Sequence, residues 1–400
     1  MNNICLFKII IVYLQRKIKN NFKMSLKLNY DDITIVPEVI TSISSRSECN
    51  PYDNNGYLPI FASCMSSVVS LENTPIFNNN KIRVVIPRTY SYTTRIARLI
   101  SDRINFIAFS LNETKELFQD ENLINSVINT LINDETINLC IDLANGHMES
   151  LINIVKKIKS KYNNKIIIMT GNIANPETYK VYDEAGVDFC RCSIGTGAGC
   201  ITSSLTGVHY PIFSLLKEIY EIKQNIGGKC KIIADGGIRE YRDIQKALIY
   251  ADYVMIGSVF NKAIESAGET RYGKFYWNFK GIKIFRPLKT IFKYGKIVNP
   301  HDYPIIIDKI KKNEVEVWKE YYGMASKKSQ KLINKANKLN NKLKTSEGKV
   351  KYYKVEFSLN GWVENEIDAL RSAMSYTNSK TLEEYKNSPW VINMNIAYNK

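Results

Sequence analysis

Val187-Asp-Phe-Cys-Arg-Cys-Ser-Ile-Gly-Thr-Gly-Ala-Gly-Cys-Ile-Thr202 is a strand-length run that empties into a glycine-rich loop. Gly195, Gly197 and Gly199 precede Cys200, and a hydroxyl follows at Thr202. Glycines at alternate positions let the backbone turn tightly and bring its amides and carbonyls close to a ligand. A cysteine at the lip of such a loop is placed to act as a nucleophile once its pKa is lowered. The bland alternative is a small buried packing residue, a common fate of free cysteine.

Outward from this stretch, apolar runs of strand length alternate with segments of helical period. The strand candidates are Tyr57–Cys64, Lys81–Pro87, Asn105–Leu111, Ile137–Asp142, Lys165–Thr170, Val187–Ile194, Cys230–Asp235 and Asp252–Gly257. Several are near-continuous Ile/Val/Leu runs, as expected of strands buried on both faces. Helices are expected over Ser150–Tyr162, Pro176–Ala185, Ile212–Gln224 and Tyr241–Tyr250. Strands alternating with helices place the chain in the α/β class and point to a (β/α)8 TIM barrel. A doubly wound open sheet, needing fewer of these strands, is the runner-up.

A barrel puts its chemistry in the loops after the strands. Those strand ends read Ala62-Ser-Cys-Met, Pro87-Arg-Thr, Asp142-Leu-Ala-Asn-Gly, Thr170-Gly-Asn, the Cys200 loop, Asp235-Gly-Gly and Gly257-Ser. The ends of the seventh and eighth strands are the usual phosphate corner of a barrel. Gly236, Gly237, Gly257 and Ser258 suit that corner, because exposed backbone N–H groups favour an anion. Asp235 would then face sugar hydroxyls.

Four hundred residues with 44% hydrophobic content can bury a large core. The 55 basic and 39 acidic residues give a formal net charge of +16, spread through the chain without a nucleic-acid motif or patch. Eight cysteines without metal-ligand or disulfide spacing fit a reducing, cytoplasmic compartment. Residues 1–23 are expected to form an amphipathic or disordered extension, since Ile4–Leu14 is too short to span a membrane and lacks signal-peptide flanks. Neither a nucleic-acid nor a membrane partner is expected.

Ordered motifs then carry a resemblance. Asp31-Asp-Ile, Ser45-Arg-Ser-Glu, Cys140-Ile-Asp-Leu-Ala-Asn-Gly, Met169-Thr-Gly-Asn, the Cys200 loop, Thr206-Gly-Val-His-Tyr-Pro, Ile232-Ile-Ala-Asp-Gly-Gly, Val254-Met-Ile-Gly-Ser, Tyr322-Gly-Met and Ser346-Glu-Gly-Lys occur in this order. From about Ser25 to Tyr385 the chain resembles the inosine monophosphate dehydrogenase/guanosine monophosphate reductase family. The resemblance implies residues 24–400 as one barrel domain with no inserted regulatory (CBS) pair. Within the family, the missing pair after Cys64, Asp142-Leu-Ala-Asn-Gly, and the absence of arginine over Ser326–Glu347 favour the reductase branch. The dehydrogenase reaction, IMP to XMP with NAD, stays open as the alternative, as does an impaired nucleotide-binding relative.

The resemblance implies that Cys200 attacks carbon 2 of guanine, with Thr202 and Glu347 as the proton-transfer pair. It further implies that Gly323, Met324, Ala325, Ser346 and Gly348 bind the substrate. Arg46, Arg88, Asp142, Leu143, Ala144, Ile194 and Gly195 would meet NADPH. Potassium would lie at Gly195, Gly197, Cys200 and Ser203, and family members assemble as homotetramers.

Departures from the family pattern are Ala198 (a serine there), Ser66 (an aspartate), Lys344 (an arginine) and Ala325 (a serine). An insertion at about 271–320 mixes lysines and aromatics. It is expected to elaborate a loop over the barrel mouth or an oligomer contact.

Overall fold

The computed structural model describes residues 26–133, 135–277, 283–287, 303–346 and 348–393, with backbone alone for 272–277 and 283–287. The expected extension 1–23 lies outside the described residues.

Eight strands close into a parallel barrel: β1 (Ile60–Ala62), β2 (Arg83–Ile86), β3 (Phe106–Phe109), β4 (Ile137–Asp142), β5 (Ile166–Ile173), β6 (Phe189–Cys192), β7 (Lys231–Asp235) and β8 (Tyr253–Ile256). Closure is made by β1 lying parallel to β8, with Ile60 opposite Val254 and Ala62 opposite Ile256. That pairing excludes the open doubly wound sheet, whose outer strands stay unpaired. Seven strands fall inside the runs expected of them, and β5 runs on through Gly171 and Asn172 to Ile173.

The apolar runs are continuous because both faces are covered; all six residues of β4 are buried. One face fills the barrel with Phe61, Val85, Phe106, Ala108, Cys140, Met169, Ile233 and Met255. Phe61, Phe106 and Phe189 meet edge to face, with Phe61–Phe106 centroids 5.8 Å apart and Phe106–Phe189 5.3 Å. The interior is therefore a plug of side chains and not a pore. The alternate residues, such as Ile60, Val84, Ile107, Leu139 and Ile168, pack outward. They meet helices such as Glu149–Tyr162, whose Leu151, Ile154, Val155 and Ile158 are buried at helical spacing.

Three additions complete the domain. Ile33–Ile35 pairs antiparallel with Trp390–Ile392, tying the two ends of the described chain together. Helix Leu359–Tyr376 packs on helix Tyr241–Leu248, where Trp362 stacks on Tyr241 at 5.3 Å. The third is an antiparallel sheet of β9 (Thr270–Trp277), β10 (Lys283–Pro287), β11 (Glu316–Tyr321) and β12 (Lys351–Lys354), in the order β10-β9-β11-β12. Much of the insertion at 271–320 thus has regular structure. Helix Tyr303–Lys311 buries Ile307 and Ile310 against Ile264, Val317 and Val355, giving the insertion its own small core. Residues 278–282 and 288–302 lie outside the described residues.

Candidate active site

The strand ends open into one cleft of about 630 Å³. Its floor and one wall come from the β1, β2, β4, β5, β6, β7 and β8 ends, and the opposite wall from Tyr321, Met324, Ala325 and the segment reaching Thr345. The size is that of an ordinary small-molecule site.

The glycine loop is held from below. Gly195 has φ +81°, and a Cβ there would lie 2.8 Å from the Ser203 Cβ, so only glycine fits. The Ser203 hydroxyl donates to the Gly195 carbonyl at 3.3 Å, and the Cys200 amide donates to the Gly197 carbonyl at 2.9 Å. Gly236 has φ +112°, and a Cβ there would meet Thr196 Oγ1 at 2.7 Å. The β7 turn and the Cys200 loop are therefore in close contact. From outside, Cys200 makes an isolated antiparallel bridge with Gly348, and the Lys349 amide donates to the Gly199 carbonyl at 3.1 Å.

Cys200 alone among the described cysteines is not buried. Its thiol donates to Thr202 Oγ1 at 3.2 Å, so two of the three expected catalytic groups are in contact. Glu347, the third, lies outside the described residues. The other cysteines at this end of the barrel are unreactive by environment. Burial and then Asp142 push the Cys64 thiol well up, and burial pushes Cys140 up to about 12.

The expected residues divide plainly. Arg88, Asp142, Leu143, Ala144, Ile194, Gly195 and Gly197 line the cleft, as do Asp235, Gly236, Gly237, Gly257, Ser258, Met324 and Ala325. Gly323, Ser346, Gly348 and Ser203 flank it without lining it. The Ser346 hydroxyl donates to the Gly348 carbonyl at 2.6 Å, and Gly323 accepts from the Ser326 amide at 3.1 Å. Arg46 is elsewhere: it sits on a short turn and pairs with Asp368 at 3.5 Å, both half exposed. Of the departures from the family pattern, Ala198, Ala325 and Lys344 line the cleft, and the Ser66 hydroxyl donates to Tyr322 Oη at 3.3 Å.

Sequence reasoning did not assign a role to Arg191, Asn172 or Tyr321. Arg191, 5% exposed, bridges two carboxylates from different strands: Nη1 lies 2.9 Å from Asp142 and Nη2 lies 2.8 Å from Asp235. Asn172 Nδ2 donates to Asp235 at 2.7 Å, and Arg88 Nε donates to Asp142 at 3.0 Å. An arginine inside an apolar strand was the available signal, because a buried guanidinium requires carboxylate partners. Burial would raise the Asp142 carboxyl, but Arg88 and Arg191 outweigh it and hold the pKa at about 2.

This depression makes Asp142 an acid-side stability determinant. Its contribution is full above the unfolded value of 3.8 and is lost as pH falls toward about 2. Unfolding free energies of wild type and Asp142→Asn should therefore converge by about 2 kcal/mol between pH 4 and pH 2. Curves that stay parallel over that range contradict the ion cluster.

Among the described residues, no cluster of His, Cys, Asp and Glu could hold a metal ion, and no helix is long and apolar enough to cross a membrane. A family model described as "IMP dehydrogenase / GMP reductase domain" matches residues 120–290. The chain is 32% identical over 249 residues to a GMP reductase of Staphylococcus epidermidis, covering 60% of this chain and 73% of the relative. It is 27% identical over 371 residues to a GMP reductase of Caenorhabditis elegans, covering 90% and 89%. With a GMP reductase of Vibrio vulnificus it shares 29% identity over 275 residues, covering 65% and 76%.

Proposed function

This chain belongs to the IMP dehydrogenase/GMP reductase family, and we propose that it reductively deaminates GMP to IMP and ammonia with NADPH. One observation carries the reading: the single unburied described cysteine stands on the glycine loop, beside Thr202, at the mouth of the cleft.

In this reading the GMP phosphate lies on the Gly236-Gly237 and Gly257-Ser258 turns, where main-chain N–H groups meet it. Asp235, held by Arg191 and Asn172, accepts from the ribose hydroxyls. Met324 and Ala325, with Gly323, Ser346 and Gly348, border the base. Cys200 sulfur then bonds to carbon 2 of guanine while the bond from carbon 2 to the exocyclic nitrogen breaks. The nitrogen leaves as ammonia after taking a proton relayed by Thr202 and Glu347. The product is a thioimidate on Cys200. Reduction at carbon 2 breaks its bond to sulfur, returning the cysteine and releasing IMP.

NADPH, when bound, supplies the hydride for that reduction. Arg88 and Asp142, with Leu143, Ala144, Ile194 and Gly195, form the mixed charged and apolar end of the cleft that would hold the nicotinamide. Arg46 would meet the cofactor beyond the cleft. The carbonyls of Gly195, Gly197 and Cys200, with the Ser203 hydroxyl, would offer potassium an all-oxygen set. The enzyme in this reading is a cytoplasmic homotetramer with neither nucleic-acid nor membrane partner.

Two substrate pairs test the assignment in potassium buffer. Nicotinamide absorbance should fall with GMP plus NADPH; a rise with IMP plus NAD would reassign the chain to the dehydrogenase reaction. Ala198, at the loop beside the phosphate turns, carries no side-chain donor. Ala198→Ser should add one neutral hydrogen bond of about 1 kcal/mol, lowering the KM for GMP about fivefold. An unchanged or higher KM removes position 198 from the phosphate site.

A further inference from the structure

We propose that Lys351 supplies the cationic contact to the nucleotide's phosphate, a residue that neither the motifs nor the family pattern assigns. The proposal rests on the reading above only in taking the ligand to be a nucleoside monophosphate. Two independent placements support it.

The first is strand register. In the β11–β12 ladder, Tyr321 stands directly opposite Lys351. Directly opposed residues of an antiparallel pair project on the same face. Tyr321 lines the cleft, and a Cβ placed on Gly257 would be 3.2 Å from its hydroxyl. Lys351 therefore rises on the face of the sheet turned toward the β8 glycine turn.

The second is the ammonium itself. Lys351 Nζ donates to the Ala198 carbonyl at 2.5 Å. The neighbouring Gly197 amide nitrogen is 3.4 Å from the Cβ position of Gly236, on the β7 turn. The charge thus stands over the loop that abuts the phosphate corner of the barrel. Among the described residues no carboxylate pairs with it. An ammonium has three donors, and the one contact to a neutral carbonyl leaves others for an anion. Side chains at the corner are the Ser258, Thr196 and Tyr321 hydroxyls and the Ala198 methyl, which offer a phosphate dianion dipoles, while the cleft's own lysines, Lys342 and Lys344, come from the segment reaching Thr345. Lys351 supplies a point charge on a flexible stem, anchored at the strand pair.

Ribose 5-phosphate, which carries the phosphate and sugar without the base, is the probe. Its Kd would be measured by calorimetry on the full chain, beside GMP turnover, for wild type, Lys351→Met and Lys351→Arg. The expected result is a Kd for ribose 5-phosphate and a KM for GMP each about tenfold higher in Lys351→Met. The kcat should stay within about twofold, with most of the affinity restored in Lys351→Arg. An unchanged Kd in Lys351→Met overturns the proposal, as does absence of ribose 5-phosphate binding to wild type. Binding lost equally in both variants together with a lowered Tm marks a structural role and also overturns it. Lys351-dependent binding of ribose 5-phosphate without GMP turnover would sink the reductase reading and leave this inference standing.

Discussion

Cys200→Ala should lose turnover by on the order of 10⁴-fold or more while binding GMP within a few-fold of wild type. The split follows from the geometry. The loop that presents Cys200 is held by contacts that do not involve the thiol: the Ser203 hydroxyl on the Gly195 carbonyl, the Gly348 bridge, and the Lys349 amide on the Gly199 carbonyl. Removing one sulfur from a half-buried position leaves the Gly236-Gly237 and Gly257-Ser258 turns and Asp235 in place. It removes only the atom proposed to bond to carbon 2, and no other described cysteine can replace it, because all are buried. Steady-state kinetics with GMP and NADPH, beside a GMP titration, separate the two effects. Turnover above about a hundredth of wild type would mean that the reaction does not pass through Cys200.

The second large effect is on stability. Arg191→Leu is expected to cost about 3–5 kcal/mol, because it strips the counter-charge from the buried Asp142 and the half-buried Asp235 at once. Asp142 would keep Arg88, but Asp235 would keep only the Asn172 amide among these partners. The carboxylates would then have to take up protons or admit water, so the loss should be smaller at pH 5 than at pH 8. Arg191→Lys should recover only part of the loss, since an ammonium cannot reach Asp142 and Asp235 with the same planar fork. Urea unfolding at both pH values reads this. A loss below about 1 kcal/mol at pH 8 would show that the cluster does not hold the strand ends together.

Legibility differed by the kind of force at work. The barrel strands could be read because burial on both faces writes itself as unbroken apolar runs, as in Ile137–Asp142. The end of β5 could not be read, because Gly171 and Asn172 interrupt the apolar pattern while the ladder to β6 continues past a register shift. Arg191 was visible as a charge inside an apolar run, but its partners lie 49 and 44 residues away, and pairing at that separation has no local signature. The Ser45-Arg46-Ser motif could be read locally, but not that Arg46 pairs with Asp368, 322 positions further along the chain and outside the cleft. Over 271–320 a mixture of lysines, glycines and aromatics masks strand periodicity. What organises that segment is a cluster drawing on Ile264, Val317 and Val355, from three separate stretches of chain. Tyr321 and Lys351 follow the same pattern, for their shared face is a property of strand pairing.

In the proposed reaction a carbon–nitrogen bond is exchanged for a carbon–hydrogen bond at Cys200. Its most direct test is stoichiometry: purified protein with GMP, NADPH and potassium, following NADPH absorbance and assaying ammonia and IMP in the same samples. One ammonia and one IMP for each NADPH oxidised is the predicted result. NADPH oxidation without ammonia, or no consumption of either substrate by protein that binds GMP, contradicts it.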